Sequence, residues 1–313
     1  MWEVYILKKA TILVITCSTL LLGGCFNLEN TKEETNNVTD QQNQEEQYVS
    51  VQDYDGEGYT LRGGQEEAVD IAKQQKGEIV KAVEKFFLEN YKTEVKVNHF
   101  IGAKDAVSVT VESKNEPFFY TFAIVPVDFN SKTVATDQIF TLEGEVEQGI
   151  KSGLYVMYNK EEFSNLDHYI QSLKKKYPIV GKNKEALQNT NIVHGYATPH
   201  YFISVAGDTF KKLFDEYIEN PKMNIDDLQE FFTKNPVNPE YINISMDFFM
   251  KEKDVKPDQE IFDTITHDIE KMQDLPKGSY SIYLNDNKID QMRGSGRKNT
   301  TLSKKTPDQI IKN

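Results

Sequence analysis

"DAVSVTVES" (Asp105–Ser113) and "PFFYTFAIVPV" (Pro117–Val127) lie three residues apart, and their patterns decide the fold class. In the first, Val107, Val109 and Val111 alternate with Ser108, Thr110 and Glu112. A period of two sends the valines to one face of a strand and the polar side chains to the other. The second is almost continuously apolar, as a central strand buried on both faces should be. "TEVKVNHFIG" (Thr93–Gly102), just upstream, makes a third strand. Linkers this short join antiparallel neighbours, because a parallel pair needs a crossover of a dozen or more residues. Ahead of them Ile79, Val83, Phe86, Phe87 and Tyr91 fall on one stripe of a helix. A helix followed by a meander gives an α+β unit, with the helix laid across one sheet face.

The second half uses the same ingredients. "KEEFSNLDHYIQSLKKKY" (Lys160–Tyr177) reads as a helix stopped by Pro178. "HYFISVA" (His200–Ala206) is a strand, and "GDTFKKLFDEYIEN" opens a helix behind Asp208. After the short helix "NIDDLQEFFTKN", "EYINISMDFFMK" (Glu240–Lys251) is a strand with Ile242, Ile244, Met246 and Phe248 on one face. "DQEIFDTITHDIEKMQ" is helical and "GSYSIYLND" is a last strand. The expectation is an α+β body over residues 49–286: antiparallel sheets flanked by helices, in two similar helix-plus-meander halves, with a subdivision near residue 150 left open. The polar, basic segment 287–313 is expected to be a mobile tail.

The N-terminus addresses location. Lys8 and Lys9 precede "ATILVITCSTLLLGG" (Ala10–Gly24), an uncharged run. It is short for a membrane span of about 20 residues and suits a signal-peptide core. Leu22, Gly23, Gly24 and Cys25 follow the pattern of a bacterial lipobox. The thiol of Cys25 would take a diacylglyceryl group, and the small residues before it admit the protease. Two acyl chains hold stably where one gives only marginal binding. Residues 1–24 are then a lipoprotein signal peptide and 25–48 a lipidated tether. Rich in Asn, Gln, Glu and Thr, the tether cannot bury enough surface to fold and spans roughly 25–30 Å as a coil.

Composition sets limits. Cys17 would leave with the leader and Cys25 would be acylated, so no disulfide, Cys-ligated zinc or cysteine nucleophile remains. The chain carries net −13, and removing Glu3, Lys8 and Lys9 takes it to −14. Such a body is repelled by nucleic acid, which is not an expected partner. Eighteen Phe and sixteen Tyr supply a core that must stand without disulfides.

Candidate chemistry is sparse. "DYDGEG" puts Asp53, Asp55 and Glu57 beside two glycines, but a calcium loop opening at Asp53 needs glutamate where Gly64 stands. A solvated turn is the simpler reading. Glu143, Glu145 and Glu147, if on a strand, share one face, as a hard-cation row or as the wet side of an edge. His194 and His200 flank Gly195 and Pro199, with Asp208 beyond, but lack the His-Glu-x-x-His spacing that sets zinc geometry. His267 sits on an exposed helix face. No hydrolase elbow, Ser-x-x-Lys, Walker loop or dinucleotide fingerprint occurs, so no metal, cofactor or catalytic residue is assigned. "RGSGRK" (Arg293–Lys298) lacks the strand and helix of a phosphate loop, though a basic tail could contact phosphate-rich wall polymer.

"VSVQDYDGEGYTLRGG", "FFLENYKTEVKVNHFIGAKDAVSVTVES" and "FYTFAIVPVD" resemble an uncharacterised family of lipoproteins from Gram-positive bacteria, filed as a domain of unknown function. The resemblance supports lipidation at Cys25 and implies no activity and no other site residue. The functional expectation is a lipid-anchored protein on the extracytoplasmic face of the cell membrane, a binding or interaction module for an envelope protein or wall polymer. The rival is an envelope hydrolase with carboxylate or metal chemistry assembled only in the fold.

Overall fold

A computed structural model describes residues 47–313. The expected leader, Leu22, Gly23, Gly24 and Cys25, and all but the end of the tether lie outside the described residues. In chain order the elements are β1 (Tyr48–Ser50), α1 (Glu66–Gln74), α2 (Lys76–Tyr91), β2 (Val95–Ala103), β3 (Ala106–Ser113), β4 (Tyr120–Asp128), β5 (Thr133–Val134), α3 (Glu145–Tyr158), α4 (Lys160–Lys176), β6 (Ile179–Val180), α5 (Lys184–Asn189), β7 (Tyr201–Val205), α6 (Lys211–Glu219), α7 (Ile225–Lys234), β8 (Ile242–Met250), α8 (Gln259–Lys271), β9 (Gly278–Asn285), β10 (Lys288–Asp290), β11 (Leu302–Lys304) and β12 (Ile310–Lys312). The class is α+β. No helix among the described residues is long and apolar enough to cross a membrane.

The first sheet is the expected meander, antiparallel in the order β2-β3-β4-β5. Val107 faces Val125 across the ladder and Val109 faces Ala123. This dry face packs under α1 and α2 through Ala68, Ile71, Ile79, Val83 and Phe87. The alternating strand, β3, is the one buried on both faces along its whole length. Its polar face is covered by α5 and the loop after it, which supply hydrogen-bond partners to Ser108, Thr110 and Glu112. Thr110 Oγ1 donates to the Gln188 carbonyl at 2.7 Å, Gln188 Nε2 donates to Glu112 at 2.8 Å, and Asn191 Nδ2 donates to Ser108 Oγ at 2.8 Å. Alternation records which face is polar, not which face is wet.

The second sheet departs from a meander. Its centre is the pair β8/β9, which is parallel, with α8 as the crossover between them. The outer edge of β8 is covered by β7 and β6 and that of β9 by β12 and β11. A separate two-stranded ribbon joins β1 to β10. The segment 287–313, expected to be a mobile tail, therefore supplies three strands. Their apolar residues are too few to read as strands alone, yet Ile289 and Ile310 are buried. The cations of "RGSGRK" face carboxylates of the same chain, with Arg293 still largely exposed. Arg297 pairs with Asp247 at 3.0 Å while lying 3.6 Å over the Tyr283 ring, Lys298 pairs with Asp286, and Arg293 approaches Asp290 at 3.9 Å.

One core runs through both sheets, so the chain is not divided near residue 150. Ile150 lies in the middle of α3 and is fully buried with Val146, Leu154 and Tyr155. This helix packs against both β4 and β7. It lies tight on the Pro117–Phe119 backbone because of two glycines: a Cβ at Gly149 would stand 2.5 Å from the Phe119 ring, and one at Gly153 2.8 Å from the Phe118 carbonyl.

Candidate functional site

The α3–α4 corner turns on one residue. Asn159 is buried, and its backbone N–H and its Nδ2 both donate to the Tyr155 carbonyl, at 3.1 and 2.9 Å, which ties its side chain to the last turn of α3. Helix α4 starts immediately with Lys160. Three grooves of about 860, 1000 and 340 Å³ meet here, and Lys160 lines all of them. Aromatic rings back this surface in a continuous array. Tyr158 stacks on Phe232 at 4.2 Å, Phe232 contacts Tyr155 at 6.1 Å, Tyr155 contacts Phe163 at 6.1 Å, Phe163 contacts Tyr196 at 6.3 Å and Tyr196 contacts Phe118 at 6.2 Å. Each pair adds about 0.5–1.5 kcal/mol beyond area burial, which stiffens the backing. Tyr155 donates to the Lys277 carbonyl at 2.6 Å, and burial pushes its phenol well up.

The 860 Å³ groove carries the exposed apolar residues. Leu88 on α2 is 49 % exposed and Ile225 at the start of α7 is 44 % exposed, while Met157, Met223 and Tyr217 lie deeper. The Tyr217 hydroxyl shares a 2.9 Å hydrogen bond with Thr93 Oγ1, and burial raises its pKa. Lys92, Glu94, Glu116, Lys160 and Lys222 complete the charged lining, with Lys160 and Glu116 3.8 Å apart. This lining contains neither a histidine nor a cysteine. It suits an apolar or amphipathic surface. Leu88 falls outside the 79/83/87 stripe of its helix, and that off-stripe apolar residue was the available sequence signal.

The residues that sequence reasoning singled out go elsewhere. Glu143, Glu145 and Glu147 do not share a strand face: Gly144, at φ 81°, ends the loop and α3 begins at Glu145. Acidic side chains in a first helical turn favour the positive end of the helix dipole, which is the simpler account of this cluster. Glu145 lies 3.3 Å from His194 Nδ1, a contact the chain order could not show. Glu143, Glu145, Glu147, Lys151, Asp208 and Asp215 line a cleft of about 480 Å³. Lys151 is buried there and donates to the Gly207 carbonyl at 3.2 Å; burial lowers its pKa against the opposing pull of Glu147 and Asp208. Asp208 does not cap α6, which starts at Lys211 behind Phe210. Asp55 closes the "DYDGEG" turn by accepting from the Glu57 amide at 2.9 Å, and Asp53 reaches Lys253. His267 is exposed on α8. Among the described residues no three His, Cys, Asp or Glu side chains gather to hold a metal ion.

His200 is buried, its Nε2 has no hydrogen-bond partner, and its ring lies 6.0 Å from Phe248. Burial pushes its pKa down to about 4. The unfolded chain therefore binds this proton first, so stability is complete above about pH 6.5 and falls as pH drops towards 4. Urea midpoints of wild type and His200→Leu measured from pH 7 to 4 should diverge by about 3 kcal/mol less acid loss in the variant. Parallel curves would show that the imidazole reaches water.

The family described as "Protein of unknown function (DUF1672)" matches residues 41–312. The chain belongs to the DUF1672 family. A DUF1672 family protein from Staphylococcus aureus subsp. aureus Mu50, solved as a crystal structure at 1.80 Å resolution, is similar in fold with a TM-score of 0.67. The two are 20 % identical over 85 % of this chain and 98 % of that one. No curated protein matches. At that identity the likeness concerns the DUF1672 fold alone.

Proposed function

We propose that this DUF1672 protein is a lipid-anchored protein of the extracytoplasmic membrane face whose body is a non-catalytic binding module of the cell envelope. The observation that carries the binding reading is the aromatic-backed groove around Lys160, with Leu88 and Ile225 exposed in one lining. Large exposed apolar side chains grouped in a concave surface mark protein-interaction sites and ligand-binding grooves. The anchoring reading rests on the run from Lys8 to Cys25. Mass spectrometry of the membrane fraction should find the mature chain starting at a diacylglyceryl-modified Cys25, and Cys25→Ala should move the protein out of that fraction. A different N-terminus, or a free thiol at Cys25, overturns the anchor.

The second reading is an envelope hydrolase. It is favoured by the Lys151 cleft, where a buried amine of lowered pKa stands among carboxylates. The cleft lining offers no serine, threonine or cysteine nucleophile. Hydrolysis of purified wall polymer that disappears in Lys151→Met with an unchanged melting temperature would establish it over the binding module.

A further inference from the structure

We infer that the groove lined by Leu88 and Ile225 takes an acidic, amphipathic segment of another envelope protein. The inference rests on the binding-module reading above and names the class of partner. Charge is the first argument. The chain as a whole carries net −13, yet this lining holds Lys92, Lys160 and Lys222 against Glu94 and Glu116. Glu116 already faces Lys160 at 3.8 Å, and the Lys92 amine donates to the Glu89 carbonyl at 2.8 Å. With three lysines against two glutamates, this lining is less repulsive to an acidic partner than the chain as a whole, and Lys222 is the cation that favours one.

Shape is the second argument. The groove is open to solvent, and a small apolar ligand is held well only when 70–90 % of its surface is buried. A polypeptide segment presents one apolar face and leaves the other in water, so an open groove costs it nothing. Met157 and Met223 beside the two exposed residues make a lining that can adapt to different side chains. A polyphosphate has no use for Leu88, Ile225 and Met157. Nor can it use the start of α7, because the Asn224 side chain accepts from the Asp226 and Asp227 amides while Asp227 accepts from the Asn224 amide.

The test uses the processed protein in phosphatidylcholine nanodiscs, with empty discs as blank. The probes are fluorescent peptides of about 15 residues, enough for a few helical turns, with leucines on one helical stripe. One carries glutamates on its flanks and the other lysines. Anisotropy should show saturable binding of the acidic peptide at least about tenfold tighter than the basic one. Ile225→Glu, and separately Lys92→Glu with Lys222→Glu, should each weaken it by about tenfold or more at unchanged melting temperature. Equal affinity for the two peptides, no saturation, or unaltered binding in the variants overturns the inference. Displacement of the acidic peptide by purified wall polymer overturns the protein segment as the occupant while keeping the groove as a binding site. If Ile225→Glu alters neither probe, the groove itself is the wrong place.

Discussion

Deletion of residues 287–313 is expected to leave a chain with no cooperative thermal transition by near-ultraviolet circular dichroism. The reason lies in what those residues close. Strands β11 and β12 cover the outer edge of β9, and β10 holds the first described strand. Without them β9, one of the two central strands, becomes a bare edge open to pairing with other chains. Ile289 and Ile310 leave the core, at about 1.5–3 kcal/mol each. Asn287 Nδ2 no longer donates to the Met250 and Lys251 carbonyls, now at 3.0 and 2.9 Å. Asp247 and Tyr283 lose Arg297. Together these approach the total of about 5–15 kcal/mol that holds an ordinary domain folded. A truncated chain that melts cooperatively within a few degrees of wild type would make the segment an accessory. In the intact chain the segment is a strap in which Arg297 and Lys298 already face Asp247 and Asp286.

What the sequence revealed and what it hid have separable causes. Strands β3, β4, β8 and β9 were legible because their apolar pattern is local. So were α2, α4, α7 and α8, whose stripes run for several turns. Helix α3 was not, although it is the most buried. Gly149 and Gly153, placed where the helix lies tightly against residues 117–119, and Ser152, which accepts from the Tyr196 amide, break the apolar stripe, and the acidic first turn reads as strand alternation. The parallel pairing of β8 with β9 is long-range information that strand patterns do not carry. The tail was misread because an edge strand needs few apolar residues, and "RGSGRK" looks solvated until Asp247, Asp286 and Asp290 are brought to it. The candidate site was almost wholly hidden. It consists of ordinary residues from α2, α3, α4, α6 and α7 that meet only in space. The flagged groups met differently from expectation, with Glu145 beside His194 at 3.3 Å.

Asp247 is where a single substitution should cost most. It lies on β8 with its side chain 9 % exposed, and two cations depend on it. Arg297 donates to both carboxylate oxygens, at 3.3 and 3.0 Å, and Lys182 Nζ stands 4.0 Å away. Burial lowers the pKa of Lys182, Asp247 opposes that fall, and Arg297 reinforces it. Asp247→Ala therefore strands the buried Lys182 amine and leaves the partly exposed Arg297 without its carboxylate, and urea unfolding at pH 7 should show a loss of about 3 kcal/mol, the low end for a broken buried pair. The sign of the pH effect follows from Lys182. Its folded pKa lies below the unfolded value, so the unfolded state binds the extra proton and stability rises with pH across that interval. Removing the carboxylate widens the interval, so the variant's deficit should shrink as pH rises from 7 towards 10. Replacing all three groups at once, by Asp247→Ala, Lys182→Met and Arg297→Met, should recover most of the loss, since an apolar replacement of a buried ion cluster is often close to neutral. A deficit under about 1 kcal/mol that ignores pH is the behaviour of exposed pairs and would mean that water already reaches the Lys182 amine.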